Sequence, residues 1–209
     1  MKLQLALDFV DSIDKAVAMV ENVKQSIDII EIGTPFIVNE GMRGVKMMKA
    51  NFPNKEILAD IKIMDGGFYE AEMAFKAGAD YITVLAVADL VTIKNCVKAG
   101  KIYGGKVVVD MLCVEDLPSK IRELEALDVD YLAVHVGVDQ QAAGRTPLDD
   151  LKIMKVHATK AKIAVAGGIN HKTLPSYISL LPDIIIIGSG ITGAKDPAEE
   201  AKAIKHVMA

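Results

Sequence analysis

The sequence has few aromatic residues and no excess of positive charge, and each shortage excludes a class of function. It has no tryptophan, and only 5% of its 209 residues are aromatic, which argues against stacking platforms for single-stranded nucleic acid. Its 24 Lys and Arg against 28 Asp and Glu give a net charge of −4, so no basic patch for nucleic acid is indicated. No apolar run approaches the roughly 20 residues that span a bilayer. We therefore expect neither a nucleic-acid partner nor a membrane partner.

Cysteine is also scarce, which argues against two further kinds of protein. Neither Cys96 nor Cys113 has a second Cys or a His at ligand spacing, which argues against a structural zinc site, and two cysteines exclude a disulfide framework for a domain of this size. The chain reaches Asp8 before a signal-peptide apolar region could form. A hydrophobic content of 51% excludes disorder. We expect a soluble, reduced, cytoplasmic globular protein.

Short runs rich in β-branched residues alternate with longer segments of helical spacing along the whole chain. This alternation is typical of βαβ units and a parallel sheet. The runs are nearly continuous in apolar residues, as strands covered on both faces should be. The predicted strands are residues 3–7, 27–32, 57–61, 81–85, 106–109, 131–134, 162–166 and 184–187.

The segments between these runs carry helix start signals, with Asp11 or Ser12, Asp89 and Asp196 as predicted N-caps. Eight strand–helix pairs in this length predict a (β/α)8 TIM barrel, an α/β fold, as a single domain over residues 1–209. An open doubly wound sheet is the alternative. It is disfavoured because no Gly-x-Gly-x-x-Gly follows the first strand.

Charged residues stand where several of the predicted strands end. In a barrel the chemistry lies at the C-terminal ends of the strands, and a charge in a buried strand is costly unless it is paired or bound. We therefore predict an active site at this end of the barrel. Its candidate residues are Asp8, Glu31, Asp60, Lys62, Asp65, Asp110 and His135.

Asp60 and Lys62 are two residues apart, so on a regular strand their side chains face the same side. Lys62 would then pair with Asp60 and still offer positive charge to a substrate oxygen; the alternative is a structural salt bridge that closes the barrel top. Asp65 is either a site residue or the N-cap of the next helix. His135 is either a general acid or base or a structural hydrogen-bonding residue.

Two ligand sites are suggested by residue type. Glu31 and Asp60 are candidates for Mg²⁺, which commonly takes one or two carboxylates and fills its other positions with water or substrate oxygens. Gly167-Gly168 and Gly188-Ser189 follow the seventh and eighth strands, where barrels often bind phosphate through backbone N–H groups. Tight turns explain either glycine loop alone, but both together favour phosphate.

The sequence resembles the orotidine-monophosphate decarboxylase superfamily over essentially its whole length. The motif Asp60-x-Lys62-x-x-Asp65, with Asp8 after the first strand, carries this resemblance. Glu31 on the preceding strand is similar to the metal-dependent branch of the superfamily. Three longer strings, at residues 28–35, 58–62 and 135–142, resemble the hexulose-phosphate synthases, a family of formaldehyde-fixing aldolases.

The ketogulonate-phosphate decarboxylases are the nearest alternative branch. They typically carry Glu at the end of strand five and Arg three residues after the strand-six His, where this chain has Asp110 and Val138. Both departures favour the synthase branch. The decarboxylase, which shares an enediolate intermediate, and a non-catalytic phosphosugar-binding barrel remain the competing hypotheses.

The resemblance implies a carbon–carbon lyase that adds formaldehyde to ribulose 5-phosphate through an enediolate, as in the ribulose monophosphate pathway. It implies Mg²⁺ on Glu31 and Asp60, a charge-stabilising Lys62 and proton transfer by His135, with Asp8 and Asp110 orienting hydroxyls. The substrate phosphate would bind to Gly167, Gly168, Gly188 and Ser189. The resemblance also implies a homodimer with active sites at the interface, in which Asp65 reaches the partner's site.

Overall fold

The computed structural model describes residues 1–208. The strands of this part of the chain run parallel and close in sequence order, with the last strand paired to the first. This confirms the predicted (β/α)8 TIM barrel. The strands are β1 Lys2–Leu7, β2 Ile29–Ile32, β3 Glu56–Ile63, β4 Tyr81–Leu85, β5 Lys106–Asp110, β6 Tyr131–His135, β7 Lys162–Ala166 and β8 Ile184–Ile187.

The helices surround the barrel, and two of the predicted caps are confirmed. Ser12, rather than Asp11, accepts a hydrogen bond from the backbone of Lys15, and Asp196 caps the last helix. Asp89 precedes its helix but makes no capping hydrogen bond through its side chain. The helices are α1 Ile13–Val23, α2 Thr34–Glu40, α3 Met42–Asn51, α4 Gly67–Lys76, α5 Leu90–Tyr103, α6 Leu117–Glu125, α7 Val138–Ala142, α8 Leu148–His157, α9 Leu174–Ile178, α10 Ser189–Thr192 and α11 Pro197–Val207.

Within residues 1–208, every helix is too short or too polar to cross a membrane.

The strands contribute to two separate apolar cores. Because successive side chains point to opposite faces of a strand, alternate residues pack under the helices or fill the barrel interior. Leu3, Leu5 and Leu7 of β1 are fully buried in the core beneath the helices. The interior core contains Ile29, Leu58, Tyr81, Val108, Tyr131, Ala133, Ala164 and Ile184.

The N-terminal end of the barrel is filled by aromatic and charged side chains. The rings of Tyr81 and Tyr131 meet edge to face with their centroids 5.8 Å apart. Tyr81 donates a hydrogen bond of 2.8 Å to Glu56, which also pairs with Lys2. These contacts close the N-terminal end of the barrel interior, so space for a ligand lies towards the C-terminal end.

Strand β3 is irregular where its two functional candidates lie. Its register with β4 shifts between Ala59 and Ile63, and Lys62 has a φ of 44°, in the left-handed region. The backbone N–H of Lys62 donates to Thr83 Oγ1 at 2.9 Å. Asp60 and Lys62 nevertheless contact each other, as the sequence predicts, although the backbone at Lys62 is left-handed and is held by Thr83.

Candidate active site

A cavity of about 390 Å³ opens at the C-terminal end of the barrel. It gathers every predicted site residue except Asp65, from the ends of strands that are far apart in the sequence. The predicted residues that line it are Asp8, Glu31, Asp60, Lys62, Asp110, His135, Gly167, Gly168, Gly188 and Ser189. The position agrees with the place where barrels carry their chemistry.

A second cavity of about 500 Å³ lies on the flank of the barrel, where it is lined by Cys113, Arg145 and Asp150 among others. Arg145 and Asp150 are already paired there at 2.9 Å. The flank cavity contains none of the buried charged residues of the barrel mouth. We therefore assign the candidate active site to the smaller cavity.

Lys62 joins two carboxylates at the centre of the mouth. Its Nζ donates to Asp60 Oδ2 at 2.6 Å and lies 3.3 Å from Asp110 Oδ2. Burial alone would lower the pKa of Lys62, but the charges of Asp60 and Asp110 outweigh it, and the pKa is raised. The side chain is therefore an ammonium ion at neutral pH, suited to stabilise negative charge on a bound substrate.

Asp60 is fixed by two threonines that the sequence analysis did not single out. Thr83 Oγ1 donates to Asp60 Oδ1 at 2.7 Å, and Thr34 Oγ1 lies 2.9 Å from Asp60 Oδ2. Asp60 is only 4% exposed. With Lys62 on the same carboxylate, the orientation of Asp60 is set from three sides before any ligand binds.

Asp110 supports both His135 and Lys62. His135 Nδ1 lies 2.8 Å from Asp110 Oδ2, and the backbone N–H of Leu112 donates to Oδ1 at 3.0 Å. Burial would raise the pKa of Asp110, but the hydrogen bond and charge of His135 and the charge of Lys62 lower it. Because an ionised carboxylate only accepts, Nδ1 of His135 carries a proton towards Asp110, and Nε2 is the ring nitrogen left to exchange a proton.

Glu31 has no such cationic partner. Its carboxylate receives one hydrogen bond, from Gln4 Nε2 at 2.7 Å, and within residues 1–208 no Lys, Arg or His lies within ion-pair distance of it. Burial, followed by the nearby charges of Asp60 and Asp8, raises its pKa well above the usual value. The raised pKa marks an uncompensated negative charge.

Asp8 lies at the rim between the loops after β1, β2 and β8. Burial and the charge of Asp60 raise its pKa. A Cβ atom at position 33 would lie 2.1 Å from Asp8 Oδ1, so Gly33 is required for this close approach. Asp8 thus adds a third carboxylate to the side of the mouth that holds Glu31 and Asp60.

The mouth has an excess of carboxylates that suits a hard cation. Asp8, Glu31, Asp60 and Asp110 face only Lys62 and His135 as groups able to carry positive charge. Within residues 1–208 no three His, Cys, Asp or Glu side chains are grouped so as to hold a metal unaided. Two carboxylates completed by water or substrate oxygens is the arrangement that Mg²⁺ uses. The donor set of Glu31 and Asp60 therefore fits Mg²⁺.

The glycine loops after β7 and β8 also line the mouth. Gly167 and Gly168 have φ values of 122° and 65°, and a Cβ at Gly167 would lie 2.8 Å from the Val136 carbonyl oxygen. Only glycine suits this turn. Gly188 has a φ of −101° and precedes Ser189, the first residue of α10. The turn requirement explains the first loop, while the position of both loops at the cavity remains compatible with phosphate binding.

Asp65 lies outside the cavity of its own chain. It is exposed, and its Oδ1 accepts a hydrogen bond from the backbone of Gly66 at 2.7 Å. The N-cap residue of helix α4 is Gly66. The alternative prediction, that Asp65 is the N-cap of this helix, is therefore wrong. A role for Asp65 in catalysis would need a second chain.

Two cavity residues inside strands escaped sequence reasoning. Gln4 lies within the apolar run of β1 and Thr83 within that of β4, and both are buried. The catalytic and metal-binding candidates singled out from the sequence were charged residues and a histidine at or near the ends of the runs, and the uncharged polar residues inside the runs were passed over. A polar group in a buried strand costs free energy unless it is paired. This argument identified the charged candidates, and it applies equally to Gln4 and Thr83.

Comparison with known proteins shows the family of the chain. The model of the orotidine 5'-phosphate decarboxylase / HUMPS family matches residues 1–204. The chain belongs to this family. Among relatives, 3-hexulose-6-phosphate synthase of Bacillus subtilis (strain 168) is 48% identical over 208 residues, which cover 100% of this chain and 99% of the relative.

Solved structures of the orotidine 5'-phosphate decarboxylase / HUMPS family superpose closely. The crystal structure of 3-hexulose-6-phosphate synthase from Salmonella typhimurium has 53% sequence identity and a TM-score of 0.98, covering 100% of this chain and 98% of that one. That of 3-keto-L-gulonate-6-phosphate decarboxylase from Vibrio cholerae has 28% identity and a TM-score of 0.87, covering 99% and 96%.

Proposed function

We propose that this chain catalyses the 3-hexulose-6-phosphate synthase reaction. Formaldehyde adds to D-ribulose 5-phosphate and gives D-arabino-hex-3-ulose 6-phosphate, which makes the enzyme a carbon–carbon lyase of the aldolase type. The observation that carries the proposal is the buried network in which Lys62 joins Asp60 and Asp110, with His135 on Asp110. The names of relatives at 48% and 53% identity over the full chain support the same reaction.

In this proposal the substrate phosphate is bound by backbone N–H groups of the two glycine loops. Gly167, Gly168, Gly188 and Ser189 lie at the cavity on the side of β7 and β8. The carboxylates of Glu31 and Asp60 lie on β2 and β3, whereas Asp8 lies next to Gly188. A phosphoketose spanning this cavity would therefore have its phosphate away from Glu31 and Asp60, which is electrostatically favourable.

His135 is the proposed base. Its Nε2 removes a proton from C1 of ribulose 5-phosphate, and the electron pair of that C–H bond forms the enediolate. Asp110 stabilises the resulting imidazolium through the 2.8 Å contact with Nδ1. Lys62 stabilises the negative charge of the enediolate oxygens. C1 then attacks the carbon of formaldehyde, and the formaldehyde oxygen takes up the proton that His135 removed, which gives a hydroxyl group and returns His135 to its starting state.

Glu31 and Asp60 would hold Mg²⁺ in this proposal. The ion would supply a Lewis acid for the oxygens of the substrate. The chain's own contribution is a pair of carboxylates, one held by Thr34, Thr83 and Lys62 and the other by Gln4. The burial of Glu31 beside the carboxylates of Asp60 and Asp8, which raises its pKa, supports this assignment.

We also propose that two copies of the chain assemble with their mouths at the interface. Large apolar side chains are exposed on loops and helix starts that follow the C-terminal ends of strands, as at Phe9 (74%) and Tyr69 (67%). Such a surface favours a protein partner. Asp65 lies at the same end of the barrel. In such a dimer, Asp65 of each chain would reach into the cavity of the other chain.

The second candidate function is decarboxylation of 3-keto-L-gulonate 6-phosphate. It is favoured by the likeness to the Vibrio cholerae structure and by an enediolate intermediate that the same residues would stabilise. Asp110 and Val138, which depart from the decarboxylase pattern, weigh against it.

One assay separates the candidates. The protein is incubated with ribulose 5-phosphate, formaldehyde and Mg²⁺, and in parallel with 3-keto-L-gulonate 6-phosphate and Mg²⁺. Hexulose phosphate in the first reaction supports the synthase. Carbon dioxide from the second without hexulose phosphate from the first supports the decarboxylase, and no product in either reaction contradicts both.

A further inference from the structure

Gln4 is a polar residue in an apolar layer of the barrel. It is 1% exposed, and its partners in the registers of β2 and β8 are Ile29 and Ile186. The interior core around it contains Leu58 and Val108. Burying an amide among aliphatic side chains costs free energy unless its polar atoms are hydrogen-bonded, so a folding role alone would favour an apolar residue here.

Only one end of the Gln4 amide is satisfied within residues 1–208. Nε2 donates to Glu31 Oε2 at 2.7 Å, whereas the buried Oε1 has no hydrogen-bond partner. Turning the amide over would remove the N–H donor from Glu31 and leave Nε2 without an acceptor. The arrangement therefore keeps the bond to Glu31 at the expense of a buried acceptor.

Glu31 has a particular need for this donor. Its neighbours Asp8 and Asp60 carry charge of the same sign, and no side chain of residues 1–208 other than Gln4 donates to it. Oε2 is occupied by Gln4, while Oε1 accepts no hydrogen bond from this part of the chain. A single donor at Oε2 thus fixes the carboxylate and leaves one oxygen available for a cation.

We propose that Gln4 is a positioning residue, whose Nε2 holds Glu31 in the orientation in which its free oxygen binds Mg²⁺. The inference rests on the proposed function, since that function assigns the ion to Glu31. Groups that orient a metal-binding side chain commonly change metal affinity by about 10–100-fold when they are removed. Gln4 would act on the ion only through Glu31.

The test measures Mn²⁺ binding to the purified full-length protein by electron paramagnetic resonance. Gln4→Met, which keeps the length of the side chain without its donor, should weaken Mn²⁺ binding by about 10–100-fold. Thermal unfolding should be unchanged or shifted upwards, because the buried acceptor without a partner is also removed. Ile184→Val, in the same interior core, is the matched control and should bind Mn²⁺ as the wild type does.

A second readout separates positioning from a merely structural role. In the aldol assay Gln4→Met should need a higher concentration of Mg²⁺ for half-maximal rate, and excess Mg²⁺ should restore most of kcat. If Gln4→Met does not fold, Gln4→Leu is measured in the same way. A folded variant with wild-type Mn²⁺ affinity would overturn the inference and make Gln4 a residue of the core only.

Failure of the inference can be told apart from failure of the proposed function. Wild-type protein that makes hexulose phosphate but binds no Mn²⁺ would overturn the role of Gln4 and leave the reaction standing. Wild-type protein that binds Mn²⁺ but makes no hexulose phosphate would contradict the function, while the affinity ratio between wild type and Gln4→Met still decides the inference.

Discussion

The two ends of the barrel interior carry charged residues from the same strands in very different surroundings. At the N-terminal end the side chains of Lys2 and Glu56 are 40% and 35% exposed. At the C-terminal end those of Lys62 and Asp60 are 22% and 6% exposed. Both pairs point into the barrel, so the same alternation along the strands has produced one solvated pair and one buried pair.

Glu56 and Glu31 show what this difference means. Burial raises the pKa of Glu56, but hydrogen bonds from Lys2 and Tyr81 outweigh burial and lower it. Burial and neighbouring carboxylates raise the pKa of Glu31, with only partial relief from Gln4. Solvated ion pairs contribute little to stability. Removing a charged group from water into the protein interior, in contrast, costs several kcal/mol of folding free energy. The C-terminal charges are therefore better explained by ligand binding than by folding.

The largest effect should come from removing the metal that the C-terminal carboxylates are proposed to hold. Treatment with EDTA should reduce hexulose phosphate formation to background, and Mg²⁺ should restore it, because two carboxylates near Lys62 are left without their cation. Circular dichroism should show the same fold throughout. Full activity in the presence of EDTA would contradict the proposal that the carboxylates at the C-terminal end hold a catalytic metal ion.

The next largest effect is expected at His135. His135→Asn should lower kcat by about 10²–10⁴-fold, the range that a positioned general base contributes, since the amide cannot accept the proton from C1. His157→Asn, at an exposed position on α8, is the control and should keep wild-type activity. Equal activity of the two variants would show that another group removes the proton.

A pair of lysine variants compares the two ends directly. Lys62→Ala should lower kcat by about 10²–10³-fold, as the loss of one preorganised group that stabilises developing charge does. Lys106→Ala, beside Glu56 at the N-terminal end, should leave kcat unchanged. Steady-state kinetics of both variants, with thermal unfolding to verify the fold, measures the contrast. A similar loss in both would mean that the N-terminal charges also serve catalysis.

The sequence predicted most of the barrel and most of its mouth because both depend on local patterns. Apolar runs mark strands, and charges at strand ends mark the C-terminal rim, so Asp8, Asp110 and His135 were found before their contacts were known. What no local pattern encodes is pairing across strands. The contact of Asp110 with both His135 and Lys62 arises only when the closed barrel brings β3, β5 and β6 together.

The irregular backbone of β3 was missed for a similar reason. Lys62 occupies a left-handed conformation that its residue type disfavours. Its backbone N–H donates to Thr83 Oγ1 on the next strand, and this hydrogen bond holds it there. Position 65 shows a further limit. Asp65 is exposed and lies outside the cavity of its own chain, and its spacing from Lys62 did not reveal that.

The smallest effect concerns stability, where the two glutamates should respond with opposite signs. The pKa of Glu31 is raised in the folded protein, so its charge reduces stability as the pH rises above the usual carboxyl pKa. Glu31→Gln should therefore stabilise the metal-free protein at pH 7 by about 1 kcal/mol, while abolishing activity. Thermal unfolding should then shift upwards by about 2–4 °C for a chain of this size.

Glu56→Gln should do the reverse. Because the pKa of Glu56 is lowered by folding, its contribution is present above the usual carboxyl pKa and is lost as the pH falls through the folded value. The variant should be slightly less stable at pH 7, approach the wild type near pH 3, and keep full activity. Unfolding curves between pH 3 and pH 7 measure both variants. Stability changes of the same sign would show that the two ends of the barrel do not differ in their effect on the pKa of a glutamate.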